Sequence, residues 1–359
     1  MSHDERHIKK GTLVRHRSFY RALPKVDLHR HLEGSLRLAT MAELARTHDL
    51  DLPHADLPAL RRLVQVRPDE PHDYRNFLSK FNTLRKFYLS PGIITRLTRE
   101  AIADAVADNV RYLELRFTPA ALGALRGIPP DEVIDLVGDA AAGAEAETGL
   151  TTRLIVGVNR HESVALAERT IRAAVDRAGE RVVAVDLAGD EVNFSAVPFA
   201  GLFREAGEAG LRRTVHAGEW GGAENVIEAI DRLGAERIGH GVRVCEDPAA
   251  VRLAAEQGIT FEVCPTSNYH SGVYANLQFS PLIRMRADGL KVTLNTDDPG
   301  VSDIDLSHEY GHAAEDLGLT PGELKTFTLQ AVKSAFLGEA EREQLAGEIE
   351  RGYQARLQP

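Results

Sequence analysis

The chain has 359 residues, 43% of them apolar and 27% charged, which supports a folded core and excludes a disordered chain. Its formal charge of −10 excludes nucleic acid as the main partner, because phosphate binding needs a basic footprint. Two cysteines, Cys245 and Cys264, exclude a disulfide scaffold and fit a reducing compartment. With no apolar run of ~18 residues and no apolar stretch after the polar Met1 to Arg15 segment, a cytoplasmic protein without a membrane partner is expected.

Residues 1–20, which include His3, His7 and His16, read as a flexible solvated arm, and residues 21–359 as a single domain. The stretch Lys25-Val-Asp-Leu-His-Arg-His-Leu-Glu-Gly-Ser35 reads as a short strand that breaks at Gly34, followed by a helix over roughly 37–48. Residues 51–72 are rich in proline and aspartate and read as a long loop. Helical spacing resumes from Tyr74 to Leu89, with Phe77, Phe81, Leu84 and Tyr88 at intervals of three and four. A long loop leading into an aromatic helix is a natural place for a lid.

From there β-rich runs alternate with helical patterns. Strands are expected at 110–117, 152–158, 182–189, 213–216, 237–240, 260–264 and 291–295, and helices near 303–316, 321–336 and 339–355 close the chain. With the strand near residue 25 this makes eight β runs separated by helices. That pattern implies parallel pairing and matches an α/β fold, the TIM (β/α)8 barrel, here with additional helices. The alternative, an open doubly wound sheet, is weakened because no Gly-rich dinucleotide fingerprint follows the first strand.

In such a barrel, chemistry sits at the C-terminal strand ends. The first strand ends with His29 and His31, whose i, i+2 spacing points both imidazoles to one side. The fifth ends with His216, followed three residues later by Glu219; the sixth ends with His240; the eighth runs into Asp297 and Asp298. Histidines and carboxylates converging from four strand ends suit a catalytic metal that keeps a position open for water, with His29, His31, His216 and Asp297 as its natural ligands. A metal lowers the pKa of water from ~16 toward ~7. Asp297 is suited to take the proton of that water, Glu219 to donate or accept a proton, and His240 to stabilise developing negative charge. The expected chemistry is attack of activated water on an unsaturated carbon. The substrate is not legible at this level.

Along residues 22–340 the chain resembles the adenosine deaminase family of metal-dependent amidohydrolases. The motifs that carry the resemblance are Pro24-Lys-Val-Asp-Leu-His-Arg-His-Leu-Glu-Gly-Ser-Leu, Tyr112-Leu-Glu-Leu-Arg-Phe and Val183-Ala-Val-Asp-Leu-Ala-Gly-Asp-Glu. They continue with His216-Ala-Gly-Glu, Arg237-Ile-Gly-His-Gly, Cys264-Pro-Thr-Ser-Asn and Leu294-Asn-Thr-Asp-Asp-Pro. The resemblance implies one zinc ion per chain on His29, His31, His216 and Asp297, with a purine nucleoside and water as the small-molecule partners. It implies that Glu219 protonates N1 of the purine, His240 positions the attacking hydroxide, Asp298 meets N7 and the Gly189 backbone faces N3. Phe77 and Phe81 fall where the family has a hydrophobic gate.

The implied reaction is hydrolytic deamination of adenosine or 2′-deoxyadenosine. One position departs from the pattern: Glu33 stands where adenosine-specific members typically carry aspartate, at the site expected to meet the ribose hydroxyls. Relatives acting on adenine or on aminodeoxyfutalosine can carry glutamate there, so a deaminase of one of these is the alternative. Ser267 and Glu262, near the end of the seventh strand, are expected to support His240 or to serve as ordinary loop and core residues. The fourth strand has no lysine to bridge two ions, so one metal is expected.

Overall fold

The computed structural model describes residues 17–179 and 181–357; residues 1–16 of the expected arm, with His3, His7 and His16, lie outside them. Residues 17–22 are helical, and Tyr20 is buried against the core.

Eight parallel strands form one sheet in sequence order: β1 (Lys25–His31), β2 (Val110–Phe117), β3 (Thr151–Asn159), β4 (Val182–Ala188), β5 (Arg212–Ala217), β6 (Arg237–His240), β7 (Thr260–Val263) and β8 (Lys291–Leu294). The β8–β1 seam is closed just past β8: His31 N donates to Asp297 O at 2.8 Å, and Asp297 N donates to His29 O at 2.8 Å. The C-terminal ends of the first and last strands, which carry His29, His31 and Asp297, are thus stitched together by backbone. This is the TIM barrel that the alternation of strand and helix predicts.

Two segments differ from the sequence expectation. The presumed loop 51–72 contains a helix, Leu57–Val64, nucleated by Asp56, whose side chain accepts from Ala59 N, with Pro58 in the first turn. Leu60 and Val64 bury its inner face. The aromatic segment is not one helix but three short turns, Tyr74–Ser79, Phe81–Leu84 and the 3-10 turn Arg85–Phe87, with Asp73 as the first cap. A short helix, Pro265–His270, also follows β7 directly. The proline at its first position needs no N–H partner, so the chain turns from strand to helix without a linker.

The barrel interior is charged rather than uniformly apolar. Arg116 pairs with Asp186 at 3.2 Å and Glu262 at 2.6 Å; Arg237 pairs with Glu262 at 2.6 Å and with Glu114, whose other oxygen accepts from Tyr112 at 2.8 Å. All are buried. Buried ion pairs add little net stability over apolar packing, but they tie partners into one geometry, and here the network runs directly beneath the strand-end histidines. Among the described residues no helix is long and apolar enough to cross a membrane.

Candidate active site

β1 delivers His29 and His31 to one point, and β5 and the turn after β8 deliver His216 and Asp297 to the same point. One ligand atom from each of the four lies within 4.8 Å of every other. His29 Nε2 is 3.1 Å from Asp297 Oδ1, His31 Nε2 is 3.3 Å from that oxygen, and His31 Nε2 is 3.2 Å from His216 Nε2. The far nitrogens explain why these atoms converge. His29 Nδ1 is 2.8 Å from Glu262 Oε2 and His216 Nδ1 is 3.1 Å from Asp186, so each ring donates its Nδ1 proton to a carboxylate and turns a bare Nε2 inward. Buried His29 Nε2 has no hydrogen-bond partner. Inward lone pairs beside a carboxylate repel one another unless a cation lies among them, so the residues fit a metal.

Burial lowers His216 to about 4, leaving its ring neutral, as a ligand must be. Burial opposes the charge on Asp186, but His216 and Arg116 overcome it and hold the carboxylate ionised. A second grouping, His29, His240, Cys264 and Asp297, also comes close together. Its Cys264 thiol is pushed well up by burial and lies 3.6 Å from the Glu262 carbonyl, and His240 is engaged elsewhere; the four-residue set above is the better donor set.

Beside this cluster stands a proton-transfer pair. Glu219 lies in the turn after β5, where Gly218 adopts φ 68°. The turn is gripped from outside by Glu191, whose carboxylate accepts the backbone N–H groups of Gly218, Glu219, Trp220 and Gly221 at 2.7–3.0 Å. One buried side chain therefore fixes four consecutive amides and aims Glu219. Burial, with the charges of Asp297 and Glu191, pushes the Glu219 carboxyl well above the usual range. Asn268 Nδ2 reaches Glu219 Oε1 at 3.0 Å and His240 Nδ1 at 3.0 Å, bridging the two. His240 Nε2 lies 3.6 Å from Glu219 and 4.0 Å from Asp297, and burial lowers its pKa well below the ordinary value. His240 and Asp297 both hold left-handed backbone, φ 60° and 63°, conformations that non-glycine residues retain where the surroundings enforce them.

These groups face a cavity of about 370 Å³. Ten of the eleven residues singled out in the sequence line it: His31, Glu33, Phe77, Phe81, Gly189, His216, Glu219, His240, Asp297 and Asp298. His29 is fully buried just beneath. Phe77 and Phe81 sit with ring centroids 6.3 Å apart. Glu33 Oε1 accepts from Thr118 N at 2.7 Å, while its Oε2 is buried without a partner; Asp298 Oδ1 is likewise buried and unpartnered.

Neither Ser267 nor Glu262 contacts His240 as the sequence reading has it. Ser267 Oγ donates to Asp297 Oδ2 at 2.5 Å and Glu262 orients His29; both are supports of the histidine–aspartate cluster. The support of His240 is Asn268, one residue further along the same helix. Asn268, Glu191, Asp186 and Arg116 all lie within the motifs quoted above, but their partners are ~30 to ~150 residues away and leave no local signal.

The fold and this site together define a metal-dependent barrel hydrolase of the amidohydrolase type. The profile of the adenosine deaminase family matches residues 24–352. An adenosine deaminase of Serratia proteamaculans is 38% identical over 327 residues, spanning 91% of this chain and 98% of its own. Among solved structures, an adenine deaminase from Arthrobacter aurescens superposes with a TM-score of 0.86 at 29% identity, covering 92% of this chain and 99% of its own. An amidohydrolase from Burkhoderia ambifaria with bound Zn gives 0.86 at 26%, covering 95% and 93%. The chain belongs to the adenosine deaminase family, and is an aminohydrolase acting on C–N bonds.

Proposed function

We propose that the chain removes the exocyclic amine from C6 of adenosine and 2′-deoxyadenosine, releasing ammonia and the 6-oxo product, with one zinc ion held by His29, His31, His216 and Asp297. The observation that carries this reading is Glu219, a buried carboxyl group whose pKa burial and the nearby Asp297 and Glu191 raise well above the usual range, and which lines the cavity beside the histidine–aspartate cluster. Protonating N1 of a purine makes C6 electrophilic, and that step needs such an acid. When bound, the metal supplies a water whose pKa is lowered toward ~7.

The other residues orient and stabilise. His240, with Nδ1 facing the Asn268 amide, carries its proton on Nε2, and that N–H faces the space between Glu219 and Asp297. It is suited to hold the attacking oxygen and to stabilise its charge. Asp297 takes the proton released from the water, and Ser267 holds its second oxygen in place. Asp298 meets N7, and the Gly189 backbone meets N3. Phe77 and Phe81 cover the base, and the free Oε2 of Glu33 meets a sugar hydroxyl.

The test is a purified, zinc-loaded enzyme with adenosine and 2′-deoxyadenosine, followed by loss of the adenine absorbance and by ammonia release. Absence of turnover under every metal condition would sink the assignment. A second reading, deamination of adenine or of an adenosine analogue such as aminodeoxyfutalosine, is favoured by Glu33 and by the similarity to the Arthrobacter aurescens adenine deaminase. Side-by-side turnover of the three compounds separates them.

A further inference from the structure

The groups suited to move protons in this cavity are held from one short helix. In Pro265–His270, Ser267 Oγ donates to Asp297 Oδ2, and Asn268 Nδ2 reaches Glu219 Oε1 and His240 Nδ1. Ser271, which ends the helix, adds a second donor to Glu219 Oε1 at 3.3 Å. Asp297 follows β8, Glu219 follows β5 and His240 ends β6, so the placement of this helix is common to three separate strands.

The helix cannot place itself. Six residues make fewer than two turns, too few to hold a helix without outside contacts. Its start has no local cap: Cys264 supplies no side-chain hydrogen bond, and Pro265 has no N–H. The first free amide is that of Thr266, and its acceptor comes from 43 residues along the chain. Glu309 Oε1 and Oε2 lie 3.0 and 3.3 Å from Thr266 N.

Glu309 is fully buried and lies outside the cavity, so it does not touch a substrate there. It is fixed on the helix Leu306–Glu315, whose first turn is anchored twice. Asp305 accepts from His308 N at 2.9 Å, and Asp108 accepts from Ser307 N at 2.9 Å. The far end of Pro265–His270 is tied separately, with His270 Nδ1 3.2 Å from Ser302 Oγ. Of these ties, Glu309 is the one beside Ser267 and Asn268. Burial pushes its carboxyl up to about 8, a cost in free energy that an apolar side chain would not carry. Neutral or ionised, it presents an oxygen to the Thr266 amide.

We propose that Glu309 is a positioning residue for the reaction: by accepting the Thr266 amide it sets where Ser267 and Asn268 sit, and through them the geometry of Asp297, Glu219 and His240. The assignment rests on the deaminase reading given above.

The experiment compares zinc-loaded wild type with Glu309→Leu, Glu309→Asp and Glu309→Gln, on whichever of adenosine, adenine and aminodeoxyfutalosine the wild type turns over. It reads kcat, KM and zinc content. Glu309→Leu leaves Thr266 N unpaired, and Glu309→Asp keeps the carboxyl but withdraws it by one methylene. Both are expected to lower kcat by about 10- to 100-fold with KM and zinc content unchanged, because a misplacement of about 1 Å suffices for such a loss. Glu309→Gln keeps a carbonyl oxygen at full reach, and its kcat is expected to stay within about threefold of wild type. In an Asn268→Ala background the loss from Glu309→Leu is expected to shrink, since one of its two routes to the site is gone.

Wild-type kcat in Glu309→Leu or Glu309→Asp overturns the proposal and leaves deamination standing, as does an undiminished loss on top of Asn268→Ala. A loss that follows missing zinc or a raised KM overturns it in favour of a purely structural role. Glu309→Gln as impaired as Glu309→Leu overturns the part played by the Thr266 contact. Should Glu309→Leu fail to fold, Glu309→Asp decides. No turnover of any of the three compounds by wild type overturns the deaminase reading along with the proposal.

Discussion

His29 Nδ1 meets Glu262 Oε2 at 2.8 Å, and the same oxygen receives Arg116 Nη2 at 2.6 Å. Burial opposes the charge on Glu262, but Arg116 and Arg237 overcome it and hold the carboxylate ionised, so it accepts the His29 Nδ1–H and turns Nε2 toward the cluster. Arg116 also reaches Asp186, which orients His216. One guanidinium therefore sets two of the presumed metal ligands. Glu262→Gln is expected to weaken metal binding by about 10- to 100-fold, measured by chelator competition. It also leaves Arg116 and Arg237 without their shared carboxylate, so destabilisation of about 3–5 kcal/mol in denaturant titrations is expected. Unchanged metal affinity would separate Glu262 from the metal site.

Glu219→Gln removes the acid while keeping its shape. A fall in kcat of about 10²–10⁴-fold is expected, with metal content still near one per chain. The wild-type rate needs Glu219 protonated, so kcat/KM is expected to fall as pH rises through its raised pKa; a profile that stays flat on the alkaline side would count against this acid.

Stability shows the same group with the opposite consequence. The folded pKa of Glu219 is raised, so folding carries no penalty from it below the unfolded value of about 4.3, and stability is lost progressively as pH rises from there toward the folded pKa. Glu219→Gln is free of that loss. Its melting temperature is expected to exceed that of wild type at neutral pH, with the gap closing near pH 4; an equal gap at both pH values contradicts the assignment.

His216→Ala removes one of four convergent donors and is expected to lose the metal on dialysis. Retention of one full equivalent, measured by elemental analysis, removes His216 from the ligand set.

Gly34 tests the position of Asp298. A Cβ on Gly34 would fall 2.4 Å from the Asp298 Cβ and closer still to its Oδ1, while Gly34 O accepts from Gly300 N at 2.6 Å, so the backbone has little room to retreat. Gly34→Ala is expected to swing Asp298 away and lower kcat/KM by about 10²-fold, with metal content intact. A variant of wild-type efficiency would show that Asp298 does not depend on this contact.

The barrel and the convergence of its strand-end histidines and aspartate were legible in the chain because both obey local rules. A strand alternating with a helix has a period, and His29 and His31 share a side because they are two residues apart. Gly34, Gly189 and Gly218 mark the turns that the chain must take next to them. The capped helix Leu57–Val64 escaped notice because proline and aspartate, which usually signal a loop, here form a cap and a first turn. The supports of the site were not legible: nothing local says that Glu262 faces His29 rather than His240, that Asn268 joins Glu219 to His240, or that Glu191 holds four amides across 27–30 residues of chain. Those pairings are decided by barrel closure, which sets which strands are neighbours and how far each side chain reaches. The sequence by itself determined the chemistry through the types and spacing of its strand-end residues. Only the tertiary structure decided which carboxylates face the strand-end histidines and how far the Glu219 carboxyl is pushed above its usual range, because burial and charge neighbours exist only once the chain has closed on itself.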